Sequence, residues 1–563
     1  MPVCSPVRDA KVPRTDVATF FFRNAQAHLD QLVASGIAEE PRILVDGVTD
    51  ESLTFTEIRR MSESIADALV ARGFSLDANG TDGTLSQVVV VYSPSSIRFC
   101  PIHYGTLIAG GIYALVNTAQ AAAAAVAKEL EAVNASTVFV APELLPELRE
   151  VLKLTSLDIP DSRIILTRGS RDGFASIDAL GAVPDWSMLE RLAQPGVDIS
   201  GHPALIARTS GTTGPAKFAV SAHCTLVSTF TVAKAFSKCA WMFDTTRCAP
   251  RQSRQIRVLS DRALCYVWGH GTLCYKPLLS SDMMVQMPPA GLEQYLGAIE
   301  KYRIDNIYAS PGHFRRIMSG TTKLGPGRFA SRADPARGFD LSSLKTAMTC
   351  FALLGPNRTR QYSEYFDGMR ISTGFAQAET NIIAGNGADL KLPEGHLALC
   401  PGVVAKTVDE DGNETDGVGE LCILTPQSAL RYASGAPLPT TEDGFVRTGD
   451  CFQLTVCGFA RPRGRVCEAI HTAAGVVVWP MDIEDEFAAR GEVDDVAVFG
   501  SGARGHARAV ALVALKSSAG ATSQLAAIEK WLKAQTGVDV ECRHVEAIPR
   551  THGGGVKWAE LGY

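Results

Sequence analysis

Residues 207–223 read ARTSGTTGPAKFAVSAH and are the most informative stretch of the chain. Between Thr209 and Lys217, glycines are interspersed among hydroxyl side chains, and a lysine ends the run. Such a loop can surround a polyphosphate with backbone N–H groups and hydroxyls, while lysine adds positive charge. The spacing is not that of a Walker loop, because Gly211 and Gly214 enclose only two residues. The stretch predicts a phosphate-binding loop, with a plain polar turn as the alternative, and disfavours a P-loop ATPase.

Helix and strand patterns alternate on the N-terminal side of this loop. Thr54 and Glu57 fit a capping box, and apolar residues follow at helical spacing: Ile58, Met61, Ile65 and Leu69. SQVVVVYS, residues 86–93, is typical of a strand that is covered on both faces. Helical and strand segments continue to alternate over residues 124–168. This order favours an α/β fold with largely parallel strands.

Length and composition exclude several classes of protein. At roughly 100–200 residues per domain, 563 residues are too many for a single small binding module. The net charge of −6 leaves no excess of basic residues for nucleic acid, and no apolar run is long enough to span a membrane. The fourteen cysteines are scattered singly, without zinc spacing, which predicts reduced thiols in a cytoplasmic protein. We expect no signal peptide at the N-terminus, and the final Leu-Gly-Tyr is not a peroxisomal address.

The texture of the sequence changes after Asp450. CGFARPRGR is rich in glycine, proline and arginine, and about a hundred residues lie beyond it, which is near the modal size of a domain. The patterns there predict strands at DDVAVFG, AVALVALK and VDVECRHVEAI, and a helix over 523–535 that Gly537 ends. The buried stripe of this helix is expected at Leu525, Ile528 and Leu532. These elements predict a hinge followed by a compact α+β C-terminal domain.

Ser210-Gly211-Thr212-Thr213-Gly214, with Lys217 three residues further on, resembles the phosphate-loop signature of the adenylate-forming superfamily. That superfamily includes acyl- and aryl-CoA ligases, luciferases and peptide-synthetase adenylation domains. Further matches follow in family order from LTFTEI to IPRT. The resemblance implies an α/β fold: a large N-terminal domain of mixed, largely parallel sheets and helices over residues 1–462, and a small mobile α+β C-terminal domain over 463–563. It assigns polyphosphate binding to Thr209, Ser210, Gly211, Thr212, Thr213, Gly214 and Lys217.

The resemblance also implies a site for adenine, ribose and metal. The backbone that borders adenine falls on Cys350, Phe351 and Ala352. In GFAQAE, Phe375 takes the place of the aromatic residue that stacks on the base, and Glu379 that of the magnesium ligand, a catalytic carboxylate. Taken alone, this segment would favour a core Phe375 and a surface Glu379. Asp450, which ends DGFVRTGD, matches the aspartate that accepts hydrogen bonds from both ribose hydroxyls. Arg465 would reach ribose or phosphate, and the hinge falls at Cys467.

The pocket for the acid is expected in LCYVWGHG and at the turn that begins with Ser310. Tyr266 stands where aryl-CoA ligases commonly have His and where amino-acid adenylation domains have an Asp. A free amino acid is therefore disfavoured, because a buried ammonium without a partner is costly. The predicted lining residues are Tyr266, Trp268, Gly269, Ser310, Gly312 and Gly374. Core packing is the alternative for each aromatic residue, and we expect His223, His270 and His313 to be core or rim residues rather than catalysts.

Several positions depart from the family pattern. Phe218 replaces the glycine after the loop lysine, and Ala378 replaces a threonine whose hydroxyl is expected near the α-phosphate. In IPRTHGGGVKW, an ungapped alignment puts Gly555 in place of the lysine that serves adenylation, and Lys557 lies two residues beyond. Lys557 is therefore either the catalytic lysine, presented by a glycine-rich segment, or a solvated surface lysine.

The resemblance implies an AMP-forming acid–thiol ligase that makes an acyl-adenylate and then a thioester. Its cofactors would be ATP, Mg²⁺ and either coenzyme A or phosphopantetheine, and its partner a small-molecule carboxylic acid. His471 and Val477 replace a lysine and a glutamine of aryl-CoA ligases, so coenzyme A rests only on its frequency in the family. One alternative is a free-standing adenylation enzyme that loads a carrier protein. The other is a catalytically weakened relative that binds ATP or an acyl-adenylate.

Overall fold

A computed structural model gives the structure of the protein. It describes residues 2–6, 11–34, 36, 39–79, 85–118, 122–209, 216–239, 255–349, 353–386, 391–503, 505–517, 519–550 and 556–561. Eight of the predicted site residues lie outside these ranges: Ser210, Gly211, Thr212, Thr213, Gly214, Cys350, Phe351 and Ala352.

Helices occur along the whole chain. They are α1 (Val17–Ala34), α2 (Phe55–Val70), α3 (Phe99–Ile108), α4 (Ala123–Ala132), α5 (Leu145–Leu152), α6 (Ser187–Glu190), α7 (His223–Cys239), α8 (Val267–Cys274), α9 (Lys276–Ser280), α10 (Leu292–Tyr302), α11 (Pro311–Gly320), α12 (Pro356–Tyr365), α13 (Pro480–Glu486) and α14 (Ala521–Thr536). None of the helices in the described ranges has both the length and the apolar character needed to cross a membrane.

The strands fall into three stretches of the chain. Up to residue 260 they are β1 (Val3–Cys4), β2 (Arg42–Asp46), β3 (Ser52–Thr54), β4 (Val88–Tyr92), β5 (Ile112–Ala114), β6 (Ala135–Val140), β7 (Ile164–Leu166), β8 (Ala175–Ser176), β9 (Pro203–Arg208), β10 (Phe218–Ala222) and β11 (Arg257–Ser260). Those that follow are β12 (Met283–Gln286), β13 (Asn306–Tyr308), β14 (Thr321–Gly325), β15 (Arg328–Ser331), β16 (Gly338–Asp340), β17 (Thr346–Thr349), β18 (Arg370–Gln377), β19 (Asn381–Gly385), β20 (Leu397–Leu399), β21 (Val404–Val408), β22 (Val418–Leu424), β23 (Arg431–Tyr432), β24 (Val446–Leu454) and β25 (Phe459–Arg465). The C-terminal strands are β26 (Ile470–His471), β27 (Val477–Val478), β28 (Val493–Ser501), β29 (Arg508–Leu515) and β30 (Val540–Val545).

The larger sheet has two halves of different direction. Among the described residues it contains 14 strands, in the order β1-β21-β22-β24-β25-β20-β19-β18-β17-β13-β11-β12-β2-β3. Neighbours from β18 to β2 run parallel. Neighbours from β18 to β1 run antiparallel. The predicted α/β fold with mixed sheets is confirmed, and the antiparallel half is the part that helix–strand alternation did not predict, because its strands follow one another without helices.

The second sheet positions the predicted phosphate loop. Its eight strands among the described residues have the order β23-β10-β9-β5-β4-β6-β7-β8. All five residues of β4 are buried, as predicted for a strand covered on both faces. The pairings β9–β10 and β10–β23 are antiparallel. Consequently the chain reverses direction between β9 and β10, the two strands that the predicted phosphate loop connects.

The sequence signals for individual helices are confirmed. Thr54 Oγ1 accepts a hydrogen bond from Glu57 N at 3.3 Å, and Thr54 N donates to Glu57 Oε2 at 2.8 Å. A cap of this kind contributes about 1 kcal/mol to stability. Ile58, Ile65 and Leu69 on the predicted face of α2 are buried.

The C-terminal elements form a separate apolar core. β28 pairs antiparallel with β29, and β29 pairs parallel with β30. Leu525, Ile528 and Leu532 of α14 pack into this core, and Gly537 ends the helix in the left-handed conformation at φ +72°. The predicted α+β character of this part of the chain is confirmed.

Candidate active site

Two hydrogen bonds close the base of the predicted phosphate loop. Thr209 N donates to Lys217 O at 2.9 Å, and Lys217 N donates to Thr209 Oγ1 at 2.9 Å. The first bond continues the antiparallel backbone pairing of β9 and β10, in which Arg208 pairs with Phe218, and the second uses the Thr209 side chain. Phe218 replaces a glycine of the family pattern, and here it is a buried residue that begins β10. The two ends of the loop are thus fixed to the sheet.

Tyr432 connects Lys217 to Glu379. Lys217 Nζ lies 5.1 Å from the centroid of the Tyr432 ring, a cation–π distance. The Tyr432 hydroxyl donates to Glu379 Oε1 at 3.1 Å. The contact arises because β23 pairs with β10, with Ala219 opposite Tyr432. Tyr432 could not be predicted from the sequence, because a strand of two residues carries no periodic pattern.

Glu379 suits the role of a magnesium ligand. Its carboxylate is a hard oxygen donor, half-buried, and its one described side-chain bond, to Tyr432, is made through Oε1. Mg²⁺ commonly takes only one or two protein carboxylates and completes its shell with water and phosphate oxygens. Within the described residues no cluster of three His, Cys, Asp or Glu side chains forms a metal site of its own. A single carboxylate beside the phosphate loop therefore fits this ion.

Asp450 is buried and already paired within the chain. Only 6% of the residue is exposed. Gln377 Nε2 donates to its Oδ2 at 2.6 Å, and Arg465 Nε lies 3.2 Å from its Oδ1. Burial raises the pKa of the Asp450 carboxyl to about 7, although the Arg465 charge acts in the opposite direction. The carboxylate of Asp450 therefore holds two side chains of the fold, and its bonds to ribose hydroxyls stay a prediction.

Phe375 lies in the core beside the end of the adenine segment. It is 6% exposed, and its ring centroid lies 4.9 Å from that of Phe452 at an interplanar angle of 54°. Thr349 of β17 pairs in parallel with Thr373 of β18. The chain therefore enters the predicted adenine segment next to buried Gly374 and Phe375. Stacking of Phe375 on a base stays a prediction.

Helix α8 carries the first group of pocket residues. Tyr266 lies directly before it, half-buried, with its backbone N–H bonded to Ala263 O. A Cβ on Gly269 would lie 2.3 Å from Ala263 O, so this close approach requires glycine. Trp268 packs edge-on against Tyr308, with ring centroids 5.7 Å apart. Trp268 thus belongs partly to the core, the alternative that the sequence left open.

Ser310 forms a buried hydrogen-bonded cluster with His313 and Asp261. Ser310 Oγ lies 2.8 Å from His313 Nδ1, and His313 Nε2 lies 2.8 Å from Asp261 Oδ2. The cluster connects the carboxyl ends of the parallel neighbours β11 and β13. Gly312 lies between Ser310 and His313 and is half-buried. Ser310 is fully buried and its hydroxyl bonds within the turn, and its place in the lining of the acid pocket stays a prediction.

The three histidines that we expected to be core or rim residues, His223, His270 and His313, are buried. Burial lowers the pKa of His223 and of His270 to about 3, and that of His313 to about 4. His223 Nδ1 accepts a hydrogen bond from Val17 N at 3.2 Å. These neutral side chains are core residues, as expected.

Arg465 and Cys467 lie where β25 ends. Arg465 pairs with Asp450 across β24 and β25, and its backbone N–H donates to Glu468 Oε2 at 3.2 Å. Cys467 follows in a short helical turn and is exposed. The predicted hinge residue, Cys467, therefore lies two residues after Arg465, which pairs with Asp450.

Lys557 forms an ion pair at the surface. Its Nζ donates to Glu560 Oε1 at 2.8 Å, and 44% of its side chain is exposed. Its backbone N–H donates to Pro549 O at 2.9 Å. In this arrangement Lys557 is held by residues of the C-terminal segment itself.

Two carboxylates attach the C-terminal residues to the larger part of the chain. Asp485 of α13 accepts hydrogen bonds from Asn357 N at 3.0 Å and Arg358 N at 2.9 Å, which are N–H groups of the first turn of α12. Asp495 of β28 forms ion pairs with Arg315 of α11 and with Arg550. These contacts fix one orientation of the C-terminal elements.

Comparison with known proteins identifies the family. The sequence model of the family described as AMP-binding enzyme matches residues 32–433, well over half of the chain. This range includes the phosphate loop, the pocket residues, Glu379 and Tyr432. The chain therefore belongs to the AMP-binding enzyme family, and the resemblance seen in the sequence is confirmed.

Individual relatives resemble most of the chain. Acyl-CoA ligase AKT1 of Alternaria alternata is 25% identical over 444 residues, which cover 73% of this chain and 70% of that protein. 4-Coumarate–CoA ligase-like 2 of Arabidopsis thaliana is 23% identical over 483 residues, 83% of this chain and 78% of that protein. The solved structure of the anthranilate CoA ligase AuaEII in complex with anthranoyl-AMP has a TM-score of 0.74 at 17% identity, and the match covers 98% of this chain and 97% of that one. The shared two-domain fold extends over nearly all of the chain.

Proposed function

We propose that the protein converts a carboxylic acid and ATP into an acyl-adenylate and then transfers the acyl group to the thiol of coenzyme A. The observation that carries this proposal is the position of Gln377 and Glu379, which are two residues apart. Gln377 bonds to Asp450, the proposed ribose ligand, and Glu379 bonds to Tyr432, which contacts Lys217. Partners for the ribose, the metal and the polyphosphate of one ATP thus meet on a single segment. Membership of the family and the activities named for its relatives support the same function.

In the first step an oxygen of the acid attacks the α-phosphorus of ATP, and the bond to pyrophosphate breaks. Lys217 counters charge on the departing pyrophosphate, together with the loop residues from Thr209 to Gly214. Glu379 would hold Mg²⁺, which supplies charge neutralisation when bound. In the second step the thiol attacks the acyl carbonyl and AMP leaves. Catalysis on this chain is mostly positioning and electrostatic stabilisation.

The remaining nucleotide contacts are proposed on the family pattern. Adenine would lie between Phe375 and the backbone of Cys350, Phe351 and Ala352. Arg465, which pairs with Asp450, would contact ribose or phosphate. Because Asp450 already accepts a bond from Gln377, ribose hydroxyls would share this carboxylate with the protein.

We propose an aromatic or medium-length aliphatic acid with an uncharged tail. Tyr266 lies directly before α8 and Trp268 lies in its first turn. Tyr266 stands where amino-acid adenylation domains have the Asp that binds the ammonium group of their substrate. Pocket contacts discriminate by about 1–3 kcal/mol per methylene, so several related acids should react. A carrier-protein phosphopantetheine is the alternative acceptor to coenzyme A, and the cytoplasm is the proposed location.

The domain boundary is proposed between residues 462 and 463, with the hinge at Cys467. The separate apolar core of the C-terminal elements supports this division. Rotation about the hinge would bring Lys557 to the α-phosphate for adenylation and withdraw it for thioester formation. The ion pair of Lys557 with Glu560 also favours a second candidate, a weakened relative that binds nucleotide without turnover.

The experiment is exchange of labelled pyrophosphate into ATP with benzoate, 4-coumarate, octanoate and phenylalanine as acids. We expect exchange with at least one of the first three and none with phenylalanine. Coenzyme A added to the active mixture should give AMP and an acyl-CoA, whereas a carrier-dependent enzyme would leave coenzyme A unchanged. ATP binding without exchange for any acid would favour the weakened relative and contradict the proposed ligase.

A further inference from the structure

Arg208 is the last residue of β9 and is largely buried beside a carboxylate. Arg208 Nε donates to Glu129 Oε1 at 2.8 Å, and each of the two side chains is 14% exposed. The other oxygen of Glu129, Oε2, accepts a hydrogen bond from Asn117 N at 2.9 Å. Glu129 is thereby held by the backbone, and it fixes the guanidinium through one edge.

Another nitrogen of the same guanidinium contacts both the base of the phosphate loop and the proposed acid pocket. Arg208 NH1 lies 3.3 Å from the Tyr266 hydroxyl and 3.3 Å from Thr209 O. Its Cζ lies 5.5 Å from the centroid of the Tyr266 ring. Thr209 closes the base of the phosphate loop, and Tyr266 lies directly before α8, the helix of the proposed acid pocket. Arg208 therefore contacts both Thr209, at the proposed phosphate site, and Tyr266, at the proposed acid pocket.

The chemistry of this contact fixes the role of the Tyr266 hydroxyl. Arginine has only N–H donors, so the phenolic oxygen must be the acceptor of the bond from NH1. The phenolic proton then remains available to another acceptor, and donation from a cation polarises the hydroxyl and strengthens it as a donor. In the proposed reaction the acceptors beside the phosphate loop are oxygens of the acid and of the α-phosphate.

We propose that Arg208 is a positioning residue for adenylation. It holds the Tyr266 hydroxyl and the base of the phosphate loop in one fixed relation, so that Tyr266 donates a hydrogen bond to an oxygen of the reacting carboxylate and keeps its proton. Glu129 holds Arg208 in turn. This role rests on the proposed function. In it Tyr266 both lines the pocket and donates a hydrogen bond to the substrate.

The test uses pyrophosphate exchange by the full chain, with whichever of benzoate, 4-coumarate or octanoate reacts fastest. Tyr266→Phe removes only the hydroxyl, and Arg208→Lys keeps the charge but cannot reach three partners at once. Each variant should lower kcat/KM for the acid about tenfold, the equivalent of one hydrogen bond of about 1.4 kcal/mol. Tyr266→Phe should leave the KM for ATP unchanged.

The double variant separates positioning from simple support of the fold. If Arg208 acts through the hydroxyl, Arg208→Lys with Tyr266→Phe should be little worse than either single change. Arg98→Lys is the matched control, because the Arg98 side chain is 15% exposed and paired with Glu51 and Asp178; its exchange should equal that of the parent.

Two results would overturn the inference. Parental kcat/KM in Tyr266→Phe, or fully multiplicative losses in the double variant, would show that Arg208 does not act through Tyr266. A parent chain that exchanges with none of the acids would instead contradict the proposed function, and the inference with it.

Discussion

Asp450 and Lys557 are the two charged groups on which the proposed chemistry most depends, and the structure treats them in opposite ways. Asp450 is 6% exposed and held between Gln377 and Arg465, whereas the Lys557 side chain is 44% exposed and, among the described residues, pairs with Glu560, three residues away. The proposed ribose ligand is thus already held by the fold. In the proposed reaction Lys557 would have to move to the nucleotide, so we expect binding and chemistry to respond to different substitutions.

Lys557→Ala should have the largest effect. We expect the single-turnover rate from acid plus ATP to fall about 100- to 1,000-fold, as for loss of one preorganised donor at a developing charge. The rate from synthetic acyl-adenylate plus coenzyme A should stay at the parental value, since that step does not use the lysine. Lys533→Ala, an exposed lysine paired with Asp539, is the control. Parental rates in both assays would make Lys557 a surface residue.

Asp450→Ala should weaken ATP binding by about 10- to 150-fold, equivalent to roughly 1.5–3 kcal/mol for lost charge-assisted bonds. It should also lower the unfolding midpoint, because Gln377 Nε2 loses a partner in a buried position. Calorimetry and thermal unfolding measure the two effects. Glu442→Ala, an exposed acid, should change neither. Unchanged ATP affinity in folded Asp450→Ala would remove this residue from the site.

The raised pKa of Asp450 predicts a pH dependence of about tenfold. Burial raises this pKa to about 7 from 3.8, so the carboxyl is largely protonated below pH 7. Ribose hydroxyls bind better to the carboxylate, and affinity should therefore rise about tenfold from pH 6 to pH 8 beyond any rise in Asp450→Asn. The stability contributed by this group is present below pH 3.8 and lost as pH rises through about 7, so Asp450→Asn should gain relative stability at pH 8. Parallel pH profiles for the two proteins would contradict the assignment.

Glu560→Gln should have the smallest effect and the opposite sign. An exposed ion pair is worth about 1 kcal/mol or less, so freeing Lys557 should speed adenylation by up to about fivefold. Single-turnover rates over a range of salt concentrations measure it, and high salt should erase the difference. A slower variant would mean that Glu560 orients Lys557 rather than withholding it.

Local signals made much of the fold predictable. The capping box at Thr54 and Glu57, the β-branched run of β4 and the stripe of α14 each lie within one element, and each is confirmed. The family resemblance brought in Asp450 and Glu379. Each of these features depends on residues that are close together in the sequence, so it could be predicted without knowing which distant residues are in contact.

The partners of these residues could not be predicted in the same way. Tyr432 contacts Glu379 across 53 residues of sequence, and Arg208 contacts Tyr266 across 58. Such contacts depend on strand order, since β23 pairs with β10 only once the second sheet has formed. The burial of Asp450 likewise follows from the pairing of β24 with β25.

The hydrogen bonds between Asp485 and helix α12 would slow the proposed rotation of the C-terminal elements. A carboxylate of the C-terminal part accepts from two N–H groups in the first turn of α12, whose N-cap residue is Gly355, and a Cβ on Gly355 would lie 2.1 Å from Asp485 Cγ. Any swing of the C-terminal elements must release both N–H groups of α12, at a cost of about 1–2 kcal/mol for a lost cap. That amount lengthens the dwell time of the docked state about 5- to 30-fold. If the proposed rotation takes place, substitution of Asp485 should change the pace of alternation between the two steps.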